Sequence, residues 1–447
     1  MNHKKLLLTL TLCLCALLCM VVTASASEVS VHTNHFSCGV VGCQNNDHGH
    51  TQVTEWQPWT GPQSASKDNI PYDSNTKTAY IYLANNVEIE DALTIPRGHT
   101  LYLCLNGHDI IRTGNLIQIQ EDASFTLCDC KGDKAEYGKL DSNKGGRVVS
   151  FESGKPGTFT MYGGIITGGN ITGNSGGGVF VGDKNTFTMY GGTITGNRAR
   201  YTGGGVVVYG AFNMYGGAIT GNSAQEGGGG VAAHGTFTMY GGAITDNTCN
   251  GSYNGGGVYV KNGTWSTGAI TLSGNVQIKD NYKGSNSNKK PSNIYLDRNK
   301  TITVAGPLTG SSIGVTTAAE PGTGSNVTFA NSSTNTIATG IFTPDTAGVL
   351  VGVAADGTSA YLYKCSHVYK WAYDEEYHWK KCTNVGCDSV EAGSKIAHTW
   401  DYPATYTAPK TCVCGATQGE PLTRSYYYYT PSAAENKKDS PKTADPG

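Results

Sequence analysis

Short runs of alternating apolar and polar residues, cut by glycine pairs, recur through the middle of the chain. Thr158-Phe159-Thr160-Met161-Tyr162-Gly163-Gly164 returns at Thr186–Gly192, at Ala211–Gly217 and at Thr236–Gly242. The methionines stand at 161, 189, 214 and 239, in steps of 28, 25 and 25. A Gly-Gly-Gly-Val block, or one close to it, places valines at 179, 206, 231 and 258, and a third block ends in Asn174, Asn197, Asn222 and Asn247. Each repeat therefore holds three strand-like segments, such as Gly205–Val208, Phe212–Tyr215 and Ala218–Thr220, separated by glycine or Gly-Asn turns.

Strands this short gain stability by winding into a coil that hydrogen-bonds to the coils above and below, at ~4.8 Å spacing. The pattern thus predicts an all-β, right-handed parallel β-helix with three short strands per coil of about 25 residues. Side-chain alternation sends Phe159, Met161, Phe187, Met189, Phe212, Met214, Phe237 and Met239 inward, with Val206, Val208, Val258 and Val260. Glycines supply positive φ at the corners. The four asparagines are expected to stack as an amide ladder. Looser strand-like runs upstream (Ala79–Leu83 to Phe125–Cys128) and downstream (Ile270–Leu272 to Ser312–Val315, with Tyr361–Tyr363 closing) extend the helix over 66–364.

Leu93-Thr94-Ile95-Pro96 through Leu105-Asn106-Gly107-His108, followed by the Met-Tyr-Gly-Gly and Ile-Thr-Gly-Asn repeats, resembles the pectin-lyase-like β-helix surface proteins of Gram-positive bacteria. Gly216-Gly217-Ala218-Ile219 and Gly241-Gly242-Ala243-Ile244 are similar to tetrapeptides of chlamydial polymorphic adhesins. The resemblance implies an adhesin-like surface protein.

Lys4 and Lys5 before an apolar run from Leu6 to Val22, then Ala24-Ser25-Ala26, predict a signal peptide over 1–26 and a secreted, cell-surface or cell-wall protein. No later segment is apolar enough to insert in a bilayer. A net charge of −2 with no basic block argues against nucleic acid as partner. That leaves host or bacterial glycans or surface proteins.

Two Cys/His segments flank the helix, over 27–65 and 365–420. The first holds Cys38 and Cys43 with His35, His48 and His50. The second holds Cys382 and Cys387 with His378 and His398, joined by Cys365, His367, Cys412 and Cys414. Thiolate and imidazole are the ligands zinc prefers, and a stretch so poor in apolar residues needs a metal or disulfides to fold. The first choice for a late structural zinc site is Cys382, Cys387, Cys412 and Cys414, with His378 and His398 as substitutes; disulfides are the alternative. Cys104 and Cys128 fall at equivalent places on adjacent coils, as a disulfide or a stack of thiols.

A carbohydrate-active enzyme, a polysaccharide lyase or glycoside hydrolase, is the rival function on this fold. Such chemistry needs clustered carboxylates. Over 158–260 the acids are Asp183, Glu226 and Asp246, well apart, and His234 reads as an isolated, solvated strand residue. Tyr162, Tyr190, Tyr215 and Tyr240 follow the inward methionines and should stack along an edge, as a glycan-binding row or simply as mutual support. The adjoining Thr-x-Thr pairs also suit an ice-binding array, interrupted at Ala211 and Asn213. The reading is an adhesin or glycan-binding scaffold with no catalytic role, with the enzyme second and a structural spacer third. Residues 421–447 read as a disordered tail, in which Ser440-Pro441-Lys442-Thr443-Ala444 is similar to a sortase motif but departs at both ends.

Overall fold

The computed structural model describes residues 56–62, 69–130, 136–251, 255–263, 266–285, 288–322, 324–334, 336–384, 387 and 389–423, together with the strands His35–Phe36 and Gln52–Val53. The chain divides into two units, Met1–Cys365 and Ser366–Gly447.

The first unit is a parallel β-helix whose three faces form one 29-stranded sheet. Strands of the first face include Thr100–Cys104, Ala123–Cys128, Gly157–Met161, Asn185–Met189 and Ala211–Met214, each parallel to the next. The second face follows with Ile165–Thr167, Thr193–Thr195 and Ala218–Thr220. The third carries Val149–Phe151, Val179–Val181, Val206–Val208, Val231–Ala233 and Val258–Val260.

Repeats stack in the register their periodicity demands. Met161 pairs with Met189, Met189 with Met214 and Met214 with Met239, all fully buried. Beside them Phe125, Phe159, Phe187, Phe212 and Phe237 form a column with ring centroids 4.6–5.2 Å apart. Burial of such large side chains in every coil is the main favourable term for the helix. The turn from first to second face needs glycine: Gly217 has φ +84°, and a Cβ there would lie 2.6 Å from Met189 Cε and 2.7 Å from the Gly192 carbonyl oxygen.

The amide ladder departs from expectation at its start. Asn174 is exposed; the place it was expected to fill belongs to Gly169, whose N–H donates to Asn197 Oδ1 at 2.9 Å. Parallel pairing puts Asn170 opposite Arg198, so the rung sits 28 residues before Asn197, not 23. From there the ladder runs further than the repeats suggest. Each Nδ2 donates to the next Oδ1, from Asn197 through Asn222, Asn247 and Asn281 to Asn293, at 2.9–3.1 Å. It ends on the Asp345 carboxylate, 2.6 Å from Asn293 Nδ2.

The helix also begins earlier than residue 66, because Gln57–Trp59 already pairs in parallel with Thr78–Leu83. Its far end is closed by antiparallel strands: Ser359–Lys364, which includes Tyr361–Tyr363, pairs with Val327–Ser332 and Val349–Val353. On the third face Val207 is buried although it points away from the core, since a Cβ on Gly176 of the preceding coil would touch its side chain. Cys104 and Cys128 are register neighbours whose side chains meet as thiols, and Cys104 Sγ also lies 3.4 Å from Cys130 Sγ.

The second unit is small. Tyr369–Tyr373 and Tyr377–Cys382 form a hairpin extended by Ile396–Ala397, and Lys410–Thr411 pairs with Thr417–Gln418.

Candidate metal centres and ligand-facing surface

The eight late cysteines and histidines do not converge on one point. They separate into two groups, Cys365, His367, Cys382 and Cys387, and His378, His398, Cys412 and Cys414, with ligand atoms within 4.8 Å of one another in each. The reason lies in one strand. His378 and Cys382 are four residues apart on Tyr377–Cys382, about 13 Å at the usual strand rise, too far to share an ion. The expected Cys382–Cys387–Cys412–Cys414 set is thereby corrected. His378 and His398 are members of the second group in their own right, and Cys365 and His367 complete the first. Cys38 and Cys43 lie outside the described residues.

Local turns present the ligands. Cys412 N–H donates to Ala416 O, and Gly415 at φ +93° returns its N–H to Cys412 O, which sets both thiols of Cys412-Val413-Cys414 on one side of a tight turn. Cys387 N–H donates to Asn384 O, while Asn384 N–H points at Cys382 Sγ at 3.5 Å. Thiol and imidazole nitrogen lie 3.2 Å apart for Cys412 and His378 Nδ1, 3.5 Å for Cys414 and His398 Nδ1, and 3.3 Å for Cys387 and His367 Nδ1. His398 Nε2 lies 2.8 Å from Asp374 O, which fixes its proton there and turns the Nδ1 lone pair toward the thiols. His378 is fully buried, and its Nε2 finds no hydrogen-bond partner among the described residues.

Electrostatics favour one thiolate in this group. Burial pushes the Cys412 thiol up. The Cys414 amide, the His398 and Cys414 side chains and the His378 charge outweigh it and bring the value down to about 6. Cys414 moves the other way, raised by burial and by its neighbour Cys412. His398 is raised, chiefly by its contact with Cys412. Both clusters can hold a metal ion.

Tyr162, Tyr190, Tyr215 and Tyr240 stack with centroids 5.0, 4.9 and 4.7 Å apart and planes within 16°. Tyr215 and Tyr240 are 44% and 41% exposed. Since each ring covers the face of the next, the row offers rims and hydroxyls rather than open aromatic faces. The Tyr215 hydroxyl is raised above its ordinary value by burial and by Tyr240 and Tyr190, so it stays a donor at neutral pH.

Two features escaped the sequence reading. His234 is not a solvated strand residue: it is buried, stacked on Tyr209 at 4.7 Å, with Nε2 3.1 Å from Thr202 Oγ1. Burial, then Lys261, lowers its pKa to about 4. Asp345 lines a cleft of about 570 Å³ with Glu320, Lys283, Lys290 and Tyr295. Its carboxylate oxygens accept from Asn293 and Thr316, which commits this acid to the ladder's end.

The fold and these groups define an all-β protein on a parallel β-helix, with clusters near its C-terminus able to hold metal. No protein-family model, curated protein or solved structure matches the chain.

Proposed function

We propose that the chain is a secreted, surface-displayed β-helix that binds extended glycans, with a C-terminal module held by two structural zinc ions. The observation that carries the binding role is the tyrosine row, four stacked rings at 4.7–5.0 Å spacing of which Tyr215 and Tyr240 are exposed and Tyr162 and Tyr190 half-buried. Beside it, in the same register, run Thr160, Thr188, Asn213 and Thr238 on the first face. A linear array of evenly spaced donors and acceptors suits a polymer that repeats its own hydroxyls and binds through many weak contacts. The leader-like 1–26 segment supports export.

Zinc suits the second unit because four thiolate or imidazole ligands fill a tetrahedron. Zn–S and Zn–N bonds of about 2.3 and 2.05 Å place sulfur and nitrogen about 3.6 Å apart. The observed thiol–imidazole separations of 3.2–3.5 Å are close to that edge. Sites with four protein ligands leave no open position for catalysis, which makes the role structural.

The test is binding of the full chain to immobilised polymeric glycans, such as mucin-type chains. Replacing Tyr190 and Tyr215 together by phenylalanine keeps the stack and removes two hydroxyls. This variant should lose about tenfold in affinity, the worth of one or two hydrogen bonds, without a change in melting temperature. Wild-type silence on every polymer would sink the binding role.

A further inference from the structure

The corner leading from the third face back to the first changes height along the helix. It spans 152–156 and 182–184 in two successive coils and shrinks to Tyr209-Gly210 and His234-Gly235 in the next two. The next corner is longer, with Asn262–Gly263 pairing antiparallel with Ser266–Thr267. The two low corners require glycine. A Cβ on Gly210 would strike the carbonyl oxygens of Asn185 and Gly182, and one on Gly235 that of Tyr209. Two low coils between taller neighbours make a trough of about 570 Å³. A second hollow of about 240 Å³ adjoins it on the Phe180 side, and both are lined by Asp183, Asn185 and Tyr209.

Tyr209 divides the two hollows. Its ring is 38% exposed, backed on one side by His234 at 4.7 Å. On the other side Phe180 stands 5.7 Å away and tilted by 41°, so the rings splay apart. Arg147 in turn sits 4.6 Å over the Phe180 ring. An aromatic wall braced in this way loses little further freedom when a ligand settles against it. The His234 imidazole beneath is neutral at neutral pH and adds no charge. Around the trough stand Asp183 and Lys184, of opposite sign, and the hydroxyls of Thr186, Thr236 and Thr267.

We propose that this trough is a discrete binding site for a neutral oligosaccharide of two or more units lying across Tyr209. A sugar presents apolar C–H groups and a fringe of hydroxyls, which the exposed rim of a fixed aromatic ring, set among short donors and acceptors, complements. Asp183 and Lys184 offset one another in the lining itself, which favours an uncharged ligand. The inference rests on the glycan-binding reading above and gives it a second, structurally separate site for short ligands.

The experiment titrates the full chain with neutral di- to tetrasaccharides of hexose and N-acetylhexosamine, beside uronate- and sialate-bearing ones. Neutral ligands should bind; Tyr209→Ala should weaken them about tenfold or more, and Tyr209→Phe by no more than about threefold. Thr236→Trp, at an exposed position, fills the trough without touching the core and should abolish binding even if Tyr209→Ala folds poorly. The Tyr190/Tyr215 phenylalanine pair should bind these short sugars as wild type does. Wild-type affinity in Thr236→Trp, with polymer binding still sensitive to the tyrosine pair, overturns the trough and leaves the ladder reading standing. Binding confined to acidic sugars overturns the neutral class. Failure of every sugar, short or polymeric, removes both.

Discussion

The Asn222 side chain ties its own coil to both neighbours from a position with almost no exposure. Its Oδ1 accepts from Asn197 N–H and Nδ2, and its own Nδ2 donates to Asn247 Oδ1 and Ile194 O. Asn222→Ala takes the acceptor from the buried Asn197 N–H and removes the other bonds of this side chain, so it should cost about 2 kcal/mol, read as a lower urea midpoint. His234 predicts a pH effect of definite sign. Its folded pKa of about 4 lies below the ordinary value of 6.5, so the folded state holds the neutral ring. That contribution is complete above about pH 6.5 and is lost as pH falls toward 4, up to roughly 3 kcal/mol. His234→Gln should flatten the loss between pH 7 and 4; an unchanged pH profile would remove His234 as its source.

At the scale of elements, the strand Tyr377–Cys382 delivers His378 to one cluster and Cys382 to the other, so one hairpin is tied at both ends. With few buried apolar residues of its own, the module depends on those ties. Chelation of the purified chain should abolish a thermal transition assigned to 366–423, and zinc titration should restore it. Metal analysis should give zinc at both clusters among the described residues, and one zinc fewer per chain after Cys412→Ser with Cys414→Ser. A metal-free chain with paired cysteines under oxidising conditions would replace this account with disulfides.

Over the whole molecule, how much was legible follows the period of the signal. A repeat of about 25 residues was enough to place Met161, Met189, Met214 and Met239 in one buried row, because equivalent positions of stacked coils must coincide. The same reasoning failed at Asn174, where a 28-residue coil shifts the rung to Gly169. It also could not extend the ladder to Asn281, Asn293 and Asp345, which lie where spacing becomes irregular.

By itself the sequence determined the all-β coil, its inward residues and the tyrosine row, since these follow from local alternation and a repeat, and it supplied late cysteines and histidines able to hold a metal. Only the tertiary structure decided which cysteines and histidines meet, that His234 is buried, and that two short corners leave a trough beside Tyr209. Those outcomes depend on distances between segments far apart in the chain, which no local pattern encodes.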